Sequence, residues 1–152
     1  ALGLALAGCS APELPERSGP AGTERVERVI DGDTVELSAS GRARLIGVDT
    51  PEVYGGVECF GREASAFAER RLEGRRVRVR VGVDDRDRYG RLLVYLYVGD
   101  RMFNEELVRT GYASPLTVPP NVEHAETFVR LAAEARERRL GLWRRCGAPA
   151  PR

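Results

Sequence analysis

The sequence predicts an α+β protein, a five-stranded Greek-key barrel with three α-helices appended. Three observations carry that reading. Short runs between positions 24 and 98 alternate apolar and polar residues, the period of strands with one face in a core. One helical stretch interrupts these runs, and two more follow the last of them. The chain of 152 residues is long enough for one domain with a real core and too short for two comfortable ones.

The first strand-like run holds Val26, Val29 and Ile30, the second Val35 and Leu37, the third Ala43, Leu45, Ile46 and Val48. Ser38-Ala39-Ser40-Gly41 between the second and third reads as a hairpin turn. Residues 61–73 then change to helical spacing, with Ala64, Phe67, Ala68 and Leu72 on one face and Gly74 as the stop. Positions 76–81 read Arg-Val-Arg-Val-Arg-Val, a strict period of two that sends the valines inward. Its arginine face is either a solvated sheet surface or a surface that attracts phosphate. Residues 91–98 form a longer apolar strand containing Tyr95 and Tyr97. Helices are expected over 104–110 and 123–140. The second presents Phe128, Leu131, Ala132 and Ala135 to the core and ends at Gly141, with Leu142 and Trp143 packing back on the barrel.

Composition bounds the chemistry loosely. Hydrophobic content of 42% and charged content of 31% are ordinary for a globular protein, and the net charge of +1 gives no bulk argument for a polyanionic partner. All 24 basic residues are arginines. Codon usage or selection for phosphate grip would both produce that, and either way each cationic contact is made by a planar, permanently charged fork. His124 is the sole histidine and is expected to be a surface or capping residue at a helix start. Its isolation argues against histidine-driven ribonuclease chemistry and against a His-rich metal site. Cys59 and Cys146 are expected to pair as a disulfide, the alternative being two free thiols.

Charged residues gather in three short segments: Asp31-Gly32-Asp33-Thr34, Arg44 with Asp49-Thr50-Pro51-Glu52, and Asp87-Arg88-Tyr89-Gly90-Arg91. Asp33 opens the second strand and Asp49 follows the third, so two short carboxylates at neighbouring strand ends can converge on one ion. An all-oxygen set completed by carbonyl and water suits Ca²⁺ rather than Zn²⁺. With two carboxylates the expected affinity is weak, a Kd on the order of 10⁻⁴–10⁻³ M. Asp31 is read as turn chemistry. Glu52, beyond Pro51, can take a proton from water beside a cation. Arg44 and Arg91 can stabilise negative charge on a phosphate in attack.

Residue for residue, these segments resemble the active-site pattern of the thermonuclease (staphylococcal-nuclease-like) family, over about Val26 to Trp143. The resemblance implies an OB-fold barrel and a calcium-dependent hydrolase that cleaves DNA and RNA phosphodiesters. It implies a metal held by Asp33, Asp49 and the Thr50 carbonyl, Glu52 as the residue that activates water, Arg44 and Arg91 as the phosphate clamp, and Arg88 and Tyr89 as contacts to a terminal phosphate. The alternative is a catalytically inactive OB-fold module that only binds nucleic acid. Such copies lose the aspartates or clamp arginines, and this chain keeps them all. It departs from the family's best-known member at Tyr54-Gly55-Gly56-Val57, where that member has a lysine-rich loop, and at Leu116-Thr117-Val118-Pro119-Pro120, where tyrosines stack a base. Tyr112 is nearby but out of register. DNA-versus-RNA preference therefore stays open.

Leu6-Ala7-Gly8-Cys9, after a short apolar run, looks like the lipobox of a bacterial lipoprotein signal peptide, the alternative being an ordinary secretory leader. The expected organisation is a signal remnant at 1–9, a Pro/Gly-rich linker at 10–23 reaching roughly 20 Å, the nuclease-like domain at 24–146 and a disordered tail at 147–152. Lipid on Cys9 would anchor an extracytoplasmic monomer to the membrane without spanning it.

Overall fold

The structure is a computed structural model describing residues 22–146. Cys9, the signal remnant, most of the linker and the tail lie outside the described residues. Five strands close into a barrel. β1 (Gly22–Asp31) pairs antiparallel with β2 (Thr34–Leu37) and with β5 (Arg76–Arg86), β2 pairs with β3 (Gly41–Leu45), and β5 with β6 (Leu92–Val98). A parallel pairing of β3 with β6 shuts the ring. β1 serves two neighbours because its register slips between Val26 and Arg28 and again between Val29 and Asp31. Such bulges bend a strand, so residues 22–25 lie on β5 and the rest on β2. Gly22 and Thr23, expected in the linker, are thus part of the sheet.

The period of two seen in the sequence is the inside and outside of this barrel. Val26, Val35, Leu37, Ala43, Leu45, Val77, Val79, Val94 and Leu96 are all buried. Outside β5, the Arg78 guanidinium lies over the Tyr97 ring at 3.9 Å and Arg80 pairs with Glu123 at 2.6 Å. α1 (Gly61–Leu72) buries Ala64, Ala68 and Leu72, and its Phe67 stacks on Tyr112 with centroids 4.1 Å apart. A short strand β4 (Val48–Asp49) pairs with β8 (Ser114–Pro115), and β7 (Arg101–Met102) leads into α2 (Phe103–Arg109). Asn104, fully buried, accepts the Leu96 N–H and donates to the carbonyls of Ile46 and Val94, which fastens α2 to the barrel end.

The C-terminal region departs from expectation in three ways. Among the described residues there are four helices rather than three, because Leu142 and Trp143 begin a separate turn, α4 (Leu142–Arg145). α3 (Ala125–Glu137) is shorter at both ends than predicted, and Arg139 at φ 51° takes the left-handed turn after it. Gly141 serves a tertiary contact instead of stopping the helix. A Cβ there would lie 2.2 Å from the Gly111 carbonyl oxygen, so two backbones cross where only glycine fits. His124 stands at the helix start as expected, in the N-cap position without a side-chain capping bond, and its half-buried ring is edge-on to Tyr95 at 4.8 Å.

Candidate active site

Strand pairing brings the first two acidic segments together. Thr34 lies directly across from Arg44, and Arg44 lies beside Leu93 on the closing strand. Asp33, just before Thr34, therefore meets the Arg44 guanidinium at 3.2 Å. The turn can approach so closely because Gly32 has no side chain: a Cβ there would sit 2.7 Å from the Thr50 hydroxyl. Thr50 donates its backbone N–H to Asp33 Oδ2 at 2.7 Å and its hydroxyl to the same oxygen at 2.9 Å. The Thr34 hydroxyl donates to Asp33 Oδ1 at 3.2 Å. Asp33 and Thr50 are only 5% and 3% exposed.

Arg44 is fixed from both ends of its fork. Nη1 donates to the carbonyls of Leu45 and Val48, both at 2.9 Å, while Nη2 reaches Asp33 at 3.2 Å and Asp49 at 3.3 Å. Asp49 is itself held by the two-residue ladder of β4 and β8, opposite Ser114. Asp31 accepts the Asp33 N–H, an Asx turn. Burial and the neighbouring Asp33 carboxylate push the Asp31 carboxyl up to about 6.

The third segment joins through Arg91. Its Nε donates to Asp87 Oδ2 at 2.7 Å, and its Nη1 reaches the Thr34 hydroxyl at 3.5 Å. Asp87 Oδ1 accepts the backbone N–H groups of Tyr89 and Arg91. Burial alone would raise the Asp87 carboxyl, but these bonds and the Arg91 charge hold it below its ordinary value. Asp33, Arg44, Asp49, Thr50 and Arg91 thus share one barrel rim. A family model described as staphylococcal nuclease homologue matches residues 42–145, spanning Arg44 to Arg91 and the helices behind them. The chain belongs to the staphylococcal nuclease family.

A thermonuclease of Staphylococcus intermedius is 40% identical over 126 residues, covering 79% of this chain and 75% of the relative. A thermonuclease of Staphylococcus hyicus is 38% identical over 127 residues, covering 80% and 75%. Endonuclease YncB of Bacillus subtilis is 32% identical over 130 residues, covering 80% and 62%.

In this member of the nuclease family a cleft of about 510 Å³ opens beside the rim. Its lining combines Arg44, Arg88, Tyr89 and Arg91 with Leu116, Val118, Pro119 and Pro120. Tyr89 is 68% exposed, with the Arg88 guanidinium 4.8 Å and that of Arg91 5.5 Å from its ring centre. Buried Asn121 shapes the far edge, accepting the N–H groups of Val83 and Asp84 and donating to the Asp84 carbonyl.

Glu52 is placed differently. It is exposed within residues 51–60, which form neither helix nor strand. Its N–H donates to Glu58 Oε2 at 3.0 Å, and its carbonyl accepts the Glu58 N–H at 2.9 Å. Cys59, next in the chain, is disulfide-bonded to Cys146. The oxygen donors at the rim fit a hard divalent cation, since Asp33, Asp49 and the Thr50 carbonyl offer no nitrogen or sulfur. Among the described residues no group of three or more His, Cys, Asp or Glu side chains gathers as a metal site, so a cation here would rely on carbonyl and water oxygens beside the two aspartates.

The roles of Thr34, Asp87, Glu58, Asn104 and Asn121 were not read from sequence. Asp87 alone carried a local signal, an Asp three residues before Gly90, the pattern of a side-chain-capped turn. Asn104 and Asn121 act on partners far away in the chain, whereas Thr34 and Glu58 bond close neighbours without a recognisable local pattern.

Proposed function

We propose that the chain is a calcium-dependent nuclease hydrolysing DNA and RNA phosphodiesters by attack of water. The observation that carries the reading is the convergence of Asp33, Arg44, Asp49 and Arg91 on one rim beside an open cleft. Asp33, Asp49 and the Thr50 carbonyl would hold Ca²⁺, and Lewis-acid polarisation of a phosphoryl oxygen is the chemistry it supplies when bound. Glu52 takes the proton of the attacking water. Arg91, aimed by Asp87, and Arg44 carry the charge that grows on the equatorial phosphate oxygens. Arg88 and Tyr89 bind the strand at the mouth of the cleft. The intact set of acids and arginines favours an enzyme over an inactive binding module.

Incubation of the protein with single-stranded DNA and with RNA, in Ca²⁺ or in chelator, tests the reading. Cleavage in Ca²⁺ that stops in chelator is expected. Binding without cleavage would favour the inactive module, and full activity in chelator would remove the metal. An extracytoplasmic address belongs to the same proposal, supported by the disulfide, which persists in oxidising compartments. Leu6-Ala7-Gly8-Cys9 supports a lipid anchor. Expressed with its native leader, the protein should fractionate with membranes, and Cys9→Ser should release it. Identical soluble masses for both would replace anchoring by secretion.

A further inference from the structure

We propose that the Cys59–Cys146 disulfide and the Glu58 carboxylate are positioning devices for Glu52, fixing the base of the loop that presents it. The inference rests on the nuclease reading and deepens it.

Thr50 is the last residue locked to the rim by Asp33. Beyond it the chain must turn away into α1, and three ties set its path. The Glu52 N–H donates to the Glu58 carboxylate and the Glu58 N–H donates to the Glu52 carbonyl, which closes the loop on itself. Phe60 turns the backbone at φ 71°, and Gly61 then packs on Glu52 so tightly that a Cβ would lie 2.5 Å from its carbonyl oxygen. Between these two contacts stands Cys59, joined to Cys146 across 87 residues.

Cys146 gives the loop a rigid footing. It caps α4, donating its N–H to the Leu142 carbonyl. Leu142 is 1% exposed, and its own N–H is bonded to Gly111. The disulfide therefore connects α4, anchored through its buried Leu142 and Trp143, to the residue beside Glu58. Val57 and Tyr54 in the same loop are 53% and 66% exposed, so hydrophobic burial holds only its base, where Phe60 packs on the core and on Tyr112 at 5.2 Å. Nearer Glu52 the Tyr54 hydroxyl donates to the Ile30 carbonyl at 3.1 Å, and the covalent tie and the Glu58 carboxylate fix the base.

A proton acceptor acts only within hydrogen-bond reach of the water it deprotonates, and a displacement of about 1 Å can cost roughly 10²-fold in rate. Arg88 and Tyr89 lie on the turn before β6, apart from the loop. Loosening the loop should therefore lower kcat and leave KM.

The test measures kcat and KM on a single-stranded DNA oligonucleotide in Ca²⁺ for Cys59→Ser/Cys146→Ser, Glu58→Ala and Glu58→Gln, with folding followed by circular dichroism. The expected result is a kcat lower by roughly 10- to 100-fold at unchanged KM. Glu58→Gln should keep more activity than Glu58→Ala, because its amide oxygen still accepts the Glu52 N–H. In a Glu52→Gln background the same changes should lower the residual rate no further. Wild-type kcat in the folded double cysteine variant or in Glu58→Ala overturns the proposal, as does a full additional loss in the Glu52→Gln background. If the double variant does not fold, the Glu58 variants in the oxidised protein decide by the same criteria. A wild-type protein inactive on DNA overturns the nuclease reading too, whereas an active wild type with silent variants overturns this proposal alone.

Discussion

Asp33 and Glu52 stand nineteen positions apart in one catalytic proposal, yet their surroundings are opposite. Asp33 is 5% exposed and receives four side-chain or backbone donors from Thr34, Arg44 and Thr50. Glu52 is exposed in a loop without regular structure, held at its backbone by Glu58. Strand pairing places the rim charges, so their geometry is as firm as the barrel. The loop depends on a few local bonds and a distant cysteine. Groups that bind a fixed charge can be built into the sheet. The group that handles water has to face it.

If the two regions differ in this way, substitutions should separate activity from stability. Glu52→Gln should have the largest effect on rate, lowering kcat by roughly 10²–10⁴-fold, while thermal unfolding moves within about 0.5 kcal/mol as for other exposed positions. A large loss of stability on that change would show that the loop is structural.

Arg44→Ala should instead damage both. The rate should fall by roughly 10²–10³-fold, and removal of a side chain only 13% exposed would take from the Asp33 and Asp49 carboxylates the cation they share. Breaking such a buried pair costs about 3–5 kcal/mol, measurable as a lower denaturant midpoint. Arg44→Lys should restore part of the stability and little of the rate, because a point charge cannot fork between phosphate oxygens.

Asp87→Asn should give the smallest effect, one that depends on pH. The folded state holds this carboxyl below its ordinary 3.8. A depressed carboxyl contributes stability that is complete above the unfolded value and disappears as pH falls through the folded one. The gap in melting temperature between wild type and Asp87→Asn should therefore be constant above about pH 5 and close towards acid. A gap that is unchanged at low pH would remove the Asp87–Arg91 pair as its cause.

Much of the fold was legible because alternation and helical spacing are local. Val77, Val79 and Val81 of β5 and the buried stripe of α1 are where the pattern put them. The C-terminal helix was misjudged because Gly141 reads as a helix stop when seen alone, whereas its requirement comes from the Gly111 backbone, thirty positions earlier. His124 stands at the helix start expected from the sequence, but the polar start says nothing of the Tyr95 ring it meets on the barrel wall.

At the site, the sequence by itself determined which charges were available and at what spacing along the chain. Asp33, Arg44, Asp49, Glu52 and Arg91 could be named, and their carboxylate and guanidinium chemistry follows from residue type. Only the tertiary structure decided how they meet. Arg44 reaches both aspartates because β2 and β3 pair with Thr34 opposite it. Arg91 joins them because β6 closes the ring. The Glu52 loop is tied down from the far end of the chain, through Cys146. Residue chemistry is a property of each side chain, but contact between segments is set by strand register and barrel closure, which depend on the whole chain packing at once.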